Sequence, residues 1–233
     1  MSYLRDRVII LKQEPYREQD RRYVMYGREH GLLEAVARGA ALGTSKQAGH
    51  LEPFTEAEVM LAQGSRCDKL AVAQRLDSSL HASSLIEWSA VTRDRLLAGF
   101  VVCGVFVDLV IRLTRPGIAD ARVFDLIHEA ILCAAQMPQA PSPERARLLH
   151  AAATLRLLDL LGFGPIIQMV DDRSQITVIL LKFMRRAALA DILRVTAPRD
   201  VLNAASAFVE QALQHAPLDQ EPHGVKTIQA YLT

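Results

Sequence analysis

Two hydrophobic periods divide the chain. Over the first eighty residues the apolar positions come in short β-branched and aromatic runs: RVIILKQ (7–13), RRYVMYG (21–27), LLEAVAR (32–38), TEAEVMLAQ (55–63) and KLAVAQRL (69–76). Polar or glycine-bearing turns, EPYREQD, REHG and GSRCD, separate most of them, and one long loop joins the third run to the fourth. Five strands with no helical pattern among them must close on themselves to hide both edges. A small Greek-key barrel of the OB type is the economical solution.

From about Ser83 the period becomes helical. Residues 84–113 carry apolar side chains around most of the circumference, which predicts a central helix or pair of helices. ARVFDLIHEAILCAAQ repeats Val123, Leu126, Ile127, Ala130 and Ile131 at three-four spacing, the mark of a one-faced helix. After the proline linker QMPQAPSP, Ser142 is a good N-cap with Pro143 at the first helical position, and the helix runs until Gly162 and Pro165 stop it. Two further helical patterns cover 178–195 and 198–216. The expected architecture is α+β: an OB-fold barrel in residues 1–80 and an all-α domain in 81–233.

Bulk properties narrow the classes. At 233 residues with half of them hydrophobic, the chain can bury a real core. A formal net charge of +1 is no signature of a polyanion binder, so any phosphate binding must come from local clustering. The most apolar stretch, 96–113, is interrupted by Asp108 and falls short of a bilayer span; a buried helix is expected, with no membrane association. The start, MSYLRDRVII, is charged within seven residues and lacks a signal-peptide pattern. Three scattered cysteines, without a CxxC pair, fit a reducing cytoplasm.

Local clustering does occur. Residues 37–54, ARGAALGTSKQAGHLEPF, hold three glycines, Arg38, Lys46 and His50, with no acid before Glu52. The order GTSK is not that of a phosphate-binding NTPase loop, which needs Gly-Lys-Ser/Thr opening a helix. A basic flap that touches a nucleic-acid backbone remains, beside the plainer reading of a solvent loop.

Several segments together are similar to one known family. The succession DRVIILKQEPYREQDRRYVMYGREHGLLEAVARGA, followed by a basic loop and AGHLEPFTEAEVML, resembles the N-terminal domain of the bacterial recombination mediator RecO family. LRLLDLLGFGP (155–165) resembles a helix end and glycine turn of that family's helical domain, and HGVKTIQAYL is a weaker echo near the C-terminus. The resemblance implies a protein without enzymatic turnover. It would bind single- and double-stranded DNA, anneal complementary strands, dock on the acidic C-terminal tail of single-strand-binding protein and, with RecR, help load RecA. A cytoplasmic, nucleoid-associated location goes with it. Many members carry a four-cysteine zinc site after the LLGFGP turn; here IIQMVDDRSQITVILL has no cysteine, so the expectation is a zinc-free variant without a cofactor.

An OB barrel holds single strands through cations and stacking rings. The candidate DNA-binding residues are Lys12, Arg17, Arg21, Arg22, Arg28, Arg38 and Lys46, with Tyr23 and Tyr26 as stacking rings and Tyr16 interleaved. Acids share the region, so some of these arginines are expected in ion pairs. Arg145, Arg147 and Arg156 are candidates for rimming a partner pocket, with a further basic run at Lys182, Arg185 and Arg186. Catalytic constellations are absent: His128-Glu129 lacks the second histidine of a zinc protease, and no GxSxG elbow occurs. The alternative from another class is a non-catalytic protein–protein adaptor built on the same two domains.

Overall fold

The computed structural model describes residues 2–42, 48–76, 93–136, 143–167 and 175–217. Five strands, β1 (Tyr3–Pro15), β2 (Arg21–Gly27), β3 (Gly31–Ala37), β4 (Glu56–Ala62) and β5 (Asp68–Arg75), close into a barrel in the order β1-β2-β3-β5-β4. Among these strands β3 and β5 pair in parallel, and the other neighbours are antiparallel. The expected five-stranded OB barrel is therefore present. β1 is the long element: Tyr3–Ile9 pairs with β4 and Val8–Pro15 with β2. A register shift between Ile10 and Lys12 marks the bulge that lets one strand turn this corner.

Alternation fills the barrel. Val8, Ile10, Tyr23, Met25, Val59 and Leu61 form its interior, all but closed to solvent. The outer side is not uniformly polar, because Ile9, Val24 and Tyr26 are buried as well. Thr114–His128, which the sequence places in the helical half, groups with the barrel and supplies Phe124 and Ile127, both buried. The Tyr26 hydroxyl accepts from the Asp120 amide (3.3 Å), and the guanidiniums of Arg7 and Arg28 lie over the Phe124 ring at 5.9 and 5.3 Å. Gly31, at φ +69°, admits this segment: a Cβ there would run into the Ile118 carbonyl oxygen.

Six helices are described: α1 (Arg93–Leu113), α2 (Ala121–Ala135), α3 (Pro143–Leu160), α4 (Gln175–Arg186), α5 (Leu189–Ile192) and α6 (Arg199–Gln214). The second unit takes α1, the end of α2 from Glu129, and all that follows. Its hub is α3, which packs on α1, α4, α5 and α6. The alanines Ala146, Ala151, Ala152 and Ala153 are buried there, so neighbouring helices can approach closely. The pattern over 178–195 breaks into α4 and α5 at an extended Ala188 (ψ 145°), where the Leu189 amide donates a hydrogen bond to the Glu129 carboxylate at 2.6 Å. No described helix is long and apolar enough to cross a membrane. Ser142, singled out from the sequence as an N-cap, lies outside the described residues.

Candidate nucleic-acid interface

One end of the barrel is built from two loops. In the β1–β2 turn, Tyr16 and Asp20 close on each other through the Tyr16 amide and the Asp20 carbonyl (3.1 Å). The Asp20 carboxylate then accepts from the Gly39 amide at 2.9 Å, and the Ala41 amide donates to the Gln19 carbonyl at 3.0 Å. These bonds hold the segment after β3 against the β1–β2 turn. Gly39 takes φ +67°, which favours glycine, and so aligns its N–H with Asp20.

This end carries the free charge. Arg17 is exposed with its guanidinium over the Tyr16 ring at 5.3 Å, and that ring is itself 44% exposed. Arg38 is exposed and has no carboxylate partner among the described residues. Arg21 faces the Gln13 amide, whose oxygen, once turned toward it, lies 3.0 Å from Nε and 2.6 Å from Nη1. Tyr16, Arg17, Arg21 and Arg38 thus place a ring and three cations on adjoining loops and strand ends.

Other candidates are engaged. Lys12 sits 2.6 Å from Glu14, whose carboxyl it holds below the usual range. Arg22 pairs with Glu34 at 2.8 Å. Both pairs are largely exposed, a setting worth about 0–1 kcal/mol, so an incoming phosphate can compete for either cation. Arg28 is different. It grips both oxygens of Asp125 (2.5 and 3.3 Å) while lying over Phe124, which makes it a clasp between barrel and α2. Lys46 lies outside the described residues.

The two stacking rings require correction. Tyr23 is fully buried inside the barrel and Tyr26 is 1% exposed beneath Thr114–His128; burial raises the hydroxyl pKa of each. Neither offers a face to a base. The alternation of β2 places the two tyrosines on opposite sides of the strand, but a covering segment from ninety residues downstream closes the second side. Of the three tyrosines at Tyr16, Tyr23 and Tyr26, the one in the turn, Tyr16, is exposed.

Beside the buried end of β4 lies a titratable cluster the sequence does not reveal. Glu56 is wholly buried and accepts from Arg7 Nε, while His128 Nε2 stands 3.6 Å from its other oxygen. Asp6, also buried, accepts from the Glu29 and His30 amides and from His30 Nδ1, which fixes the β2–β3 turn. Asp6 is satisfied by these donors of its own unit, whereas Glu56 Oε2 is buried without a hydrogen-bond partner among the described residues.

In the helical unit the expected pocket arginines do not converge. Arg156 donates to the Met184 carbonyl (3.0 Å) and to Glu129 (3.2 Å), so it ties α3 to the end of α4; its side chain is mostly buried. Burial lowers its pKa, and Glu129 opposes that shift. Arg147 borders a small crevice with His150 and Glu210, whereas Arg145 is exposed. A cavity of about 740 Å³ opens elsewhere, at the LLGFGP turn, lined by Asp159, Pro165, Ile166, Lys182, Arg185 and Arg186. Arg185 is locked in its wall by two bonds to Asp159 (2.6 and 2.7 Å) and one to the Pro165 carbonyl (2.7 Å). Lys182 and Arg186 are exposed and form no ion pair with a described acid, and Phe163, Ile166, Ile179 and Phe183 leave much apolar surface open nearby.

Cys103 and Cys133 are buried, their thiols pushed up to about 12 and about 11 by burial, and are inert as nucleophiles. No group of three or more His, Cys, Asp or Glu side chains suited to a metal gathers among the described residues.

A closed five-stranded barrel with a basic, ring-bearing end, followed by helices, defines an α+β protein with an N-terminal OB-type barrel. Residues 1–79, the stretch that holds the barrel, match the family described as "Recombination protein O N terminal". Over 160 residues the chain is 28% identical to the DNA repair protein RecO of Synechococcus sp. (strain JA-2-3B'a(2-13)), covering 69% of this chain and 54% of that one. Over 165 residues it is 27% identical to the DNA repair protein RecO of Desulforudis audaxviator, covering 71% of this chain and 59% of the other. The chain spans about half the length of the curated relatives it matches.

Proposed function

We propose that this chain is a non-catalytic DNA repair and recombination mediator of the RecO kind. It binds single- and double-stranded DNA with the loop end of its barrel and anneals complementary strands. Together with RecR it loads RecA on strands coated by single-strand-binding protein. The observation that carries the reading is the grouping of exposed Arg17, Arg38 and Tyr16 on loops tied together by Asp20 and Gly39, within a RecO-type domain. Cations there neutralise phosphate, and a ring stacks on any base, which suits a protein acting on arbitrary sequence. The acidic tail of single-strand-binding protein fits the cavity at the LLGFGP turn better than the Arg145–Arg156 face: Lys182 and Arg186 attract its carboxylates and Ile166 takes its apolar end. Anisotropy titration with single-stranded oligonucleotides at several salt concentrations tests the proposal. Micromolar or tighter binding with a steep salt slope supports it; flat, weak binding returns the chain to the adaptor class.

A further inference from the structure

The barrel has a second open face. β1, β4 and β5 pair so that three outward rows cross them: Tyr3–Ala62–Lys69, Arg5–Met60–Val72 and Arg7–Glu58–Gln74. Inward residues between these rows, Leu4, Val59, Leu61 and Leu70, belong to the core, which fixes the direction of the others. Tyr3 is 59% exposed and Val72 48% exposed, with Met60 half-buried between Arg5 and Val72. Arg5 and Lys69 are exposed and have no acidic partner among the described residues. Arg66, in the β4–β5 turn, adds a third such cation at the edge. The acids nearby are Glu58, in the row farthest from Tyr3, and Asp68, which accepts the Gly64 amide at 3.0 Å. Arg7 is consumed by Glu56.

We infer that this face is a second single-stranded DNA surface, separate from the loop end. It rests on the DNA-binding reading above. A strongly exposed tyrosine at one corner and uncompensated cations beside it supply the two components such a surface needs, stacking and phosphate attraction. The apolar floor of Met60 and Val72 suits the planar faces and sugars of splayed nucleotides. Tyr3 to Arg7 spans about 13 Å along the strand, room for about four stacked nucleotides. Because Tyr3 and Pro15 are the two ends of β1, this face and the loop end at Tyr16 lie at opposite ends of one strand. Two short strands therefore bind at once without competing. Charge complementarity favours a polyanion here over an apolar protein partner.

The test counts bound oligonucleotides on the full chain. With a short oligomer of about eight deoxythymidines, titration at low salt saturates at two per chain. The double variant Arg5→Glu, Tyr3→Ser saturates at one, and so does Arg17→Glu, Arg38→Glu, by loss of the other site. Iodouracil-substituted oligomer then crosslinks to peptides containing Tyr3 and to peptides containing Tyr16. Saturation at one in the unaltered chain, with crosslinks confined to Tyr16, overturns the second surface and leaves the DNA-binding reading intact. No binding by the unaltered chain overturns that reading as well. Both doubles replace exposed side chains, and an unchanged melting temperature shows that they fold.

Discussion

The Gly39 amide donates to the Asp20 carboxylate at 2.9 Å, joining two loops that are nineteen residues apart in the chain. This one bond sets how the β1–β2 turn and the segment bearing Arg38 share an end of the barrel. Replacing Asp20 with alanine removes a charge-assisted bond worth about 1.5–3 kcal/mol. The expected result is a stability loss at the low end of that range, because the site is partly open, together with weaker DNA binding. Asp20→Asn retains an acceptor and most of both properties. Denaturant unfolding and anisotropy, run on the same samples, check this.

Arg17→Glu with Arg38→Glu lowers single-strand affinity at least tenfold at moderate salt. It reduces the slope of log affinity against log salt by about 0.7 for each phosphate no longer neutralised, so about 1.4 for the pair. Stability stays within about 0.5 kcal/mol, as for other exposed substitutions. Arg28→Glu does the reverse: it breaks the clasp on Asp125 and Phe124 and lowers the melting temperature, and its effect on DNA affinity disappears once the folded fraction is corrected for.

Tyr23 lies in the barrel interior, and its hydroxyl has no hydrogen-bond partner there. An unpaired buried hydroxyl costs about 1–3 kcal/mol. Tyr23→Phe is therefore neutral to stabilising in chemical denaturation and leaves DNA binding unchanged. A marked loss of affinity in this variant would restore Tyr23 to the interface.

His150 is buried in the helical unit, its Nε2 unpaired, and burial pulls its pKa down to about 4 from an ordinary value of 6.5. Above about pH 7.5 both folded and unfolded chains hold it neutral, and it adds nothing to pH dependence. As pH falls from 6.5 toward 4, the unfolded chain takes up a proton that the folded chain refuses. Stability is lost through that window, by about 3 kcal/mol in all at 1.36 kcal/mol per pKa unit. His150→Leu flattens this part of the stability–pH curve while matching the parent near pH 7.5. Equal slopes in both proteins would refute the assignment.

The five strands, their turns and the OB class were legible because alternation with period two and glycine-bearing turns are local signals. The helices were legible for the same reason, at three-four spacing. Where the chain breaks a pattern, the cause is distant. The run over 178–195 splits at Ala188, where the carboxylate of Glu129, sixty residues earlier than Leu189, accepts a hydrogen bond from the Leu189 amide. The cationic inventory of the site was likewise visible, but not its sorting. Among the described residues Arg17 and Arg38 have no carboxylate partner, Lys12 and Arg22 share exposed pairs, and Arg28 clasps Asp125. Only cross-strand and covering contacts decide which is which.

By itself the sequence determined the strand and helix order, the barrel class and the family resemblance of its first domain, because these follow from spacing along the chain and from short motifs. Tertiary structure alone decided which rings and charges meet solvent. Tyr26 stands on the outer side of β2, yet Thr114–His128 covers it, while Tyr3 and Tyr16 stay open because no described segment does the same for them. Exposure depends on what packs from far along the chain, and a single strand's alternation carries no record of that.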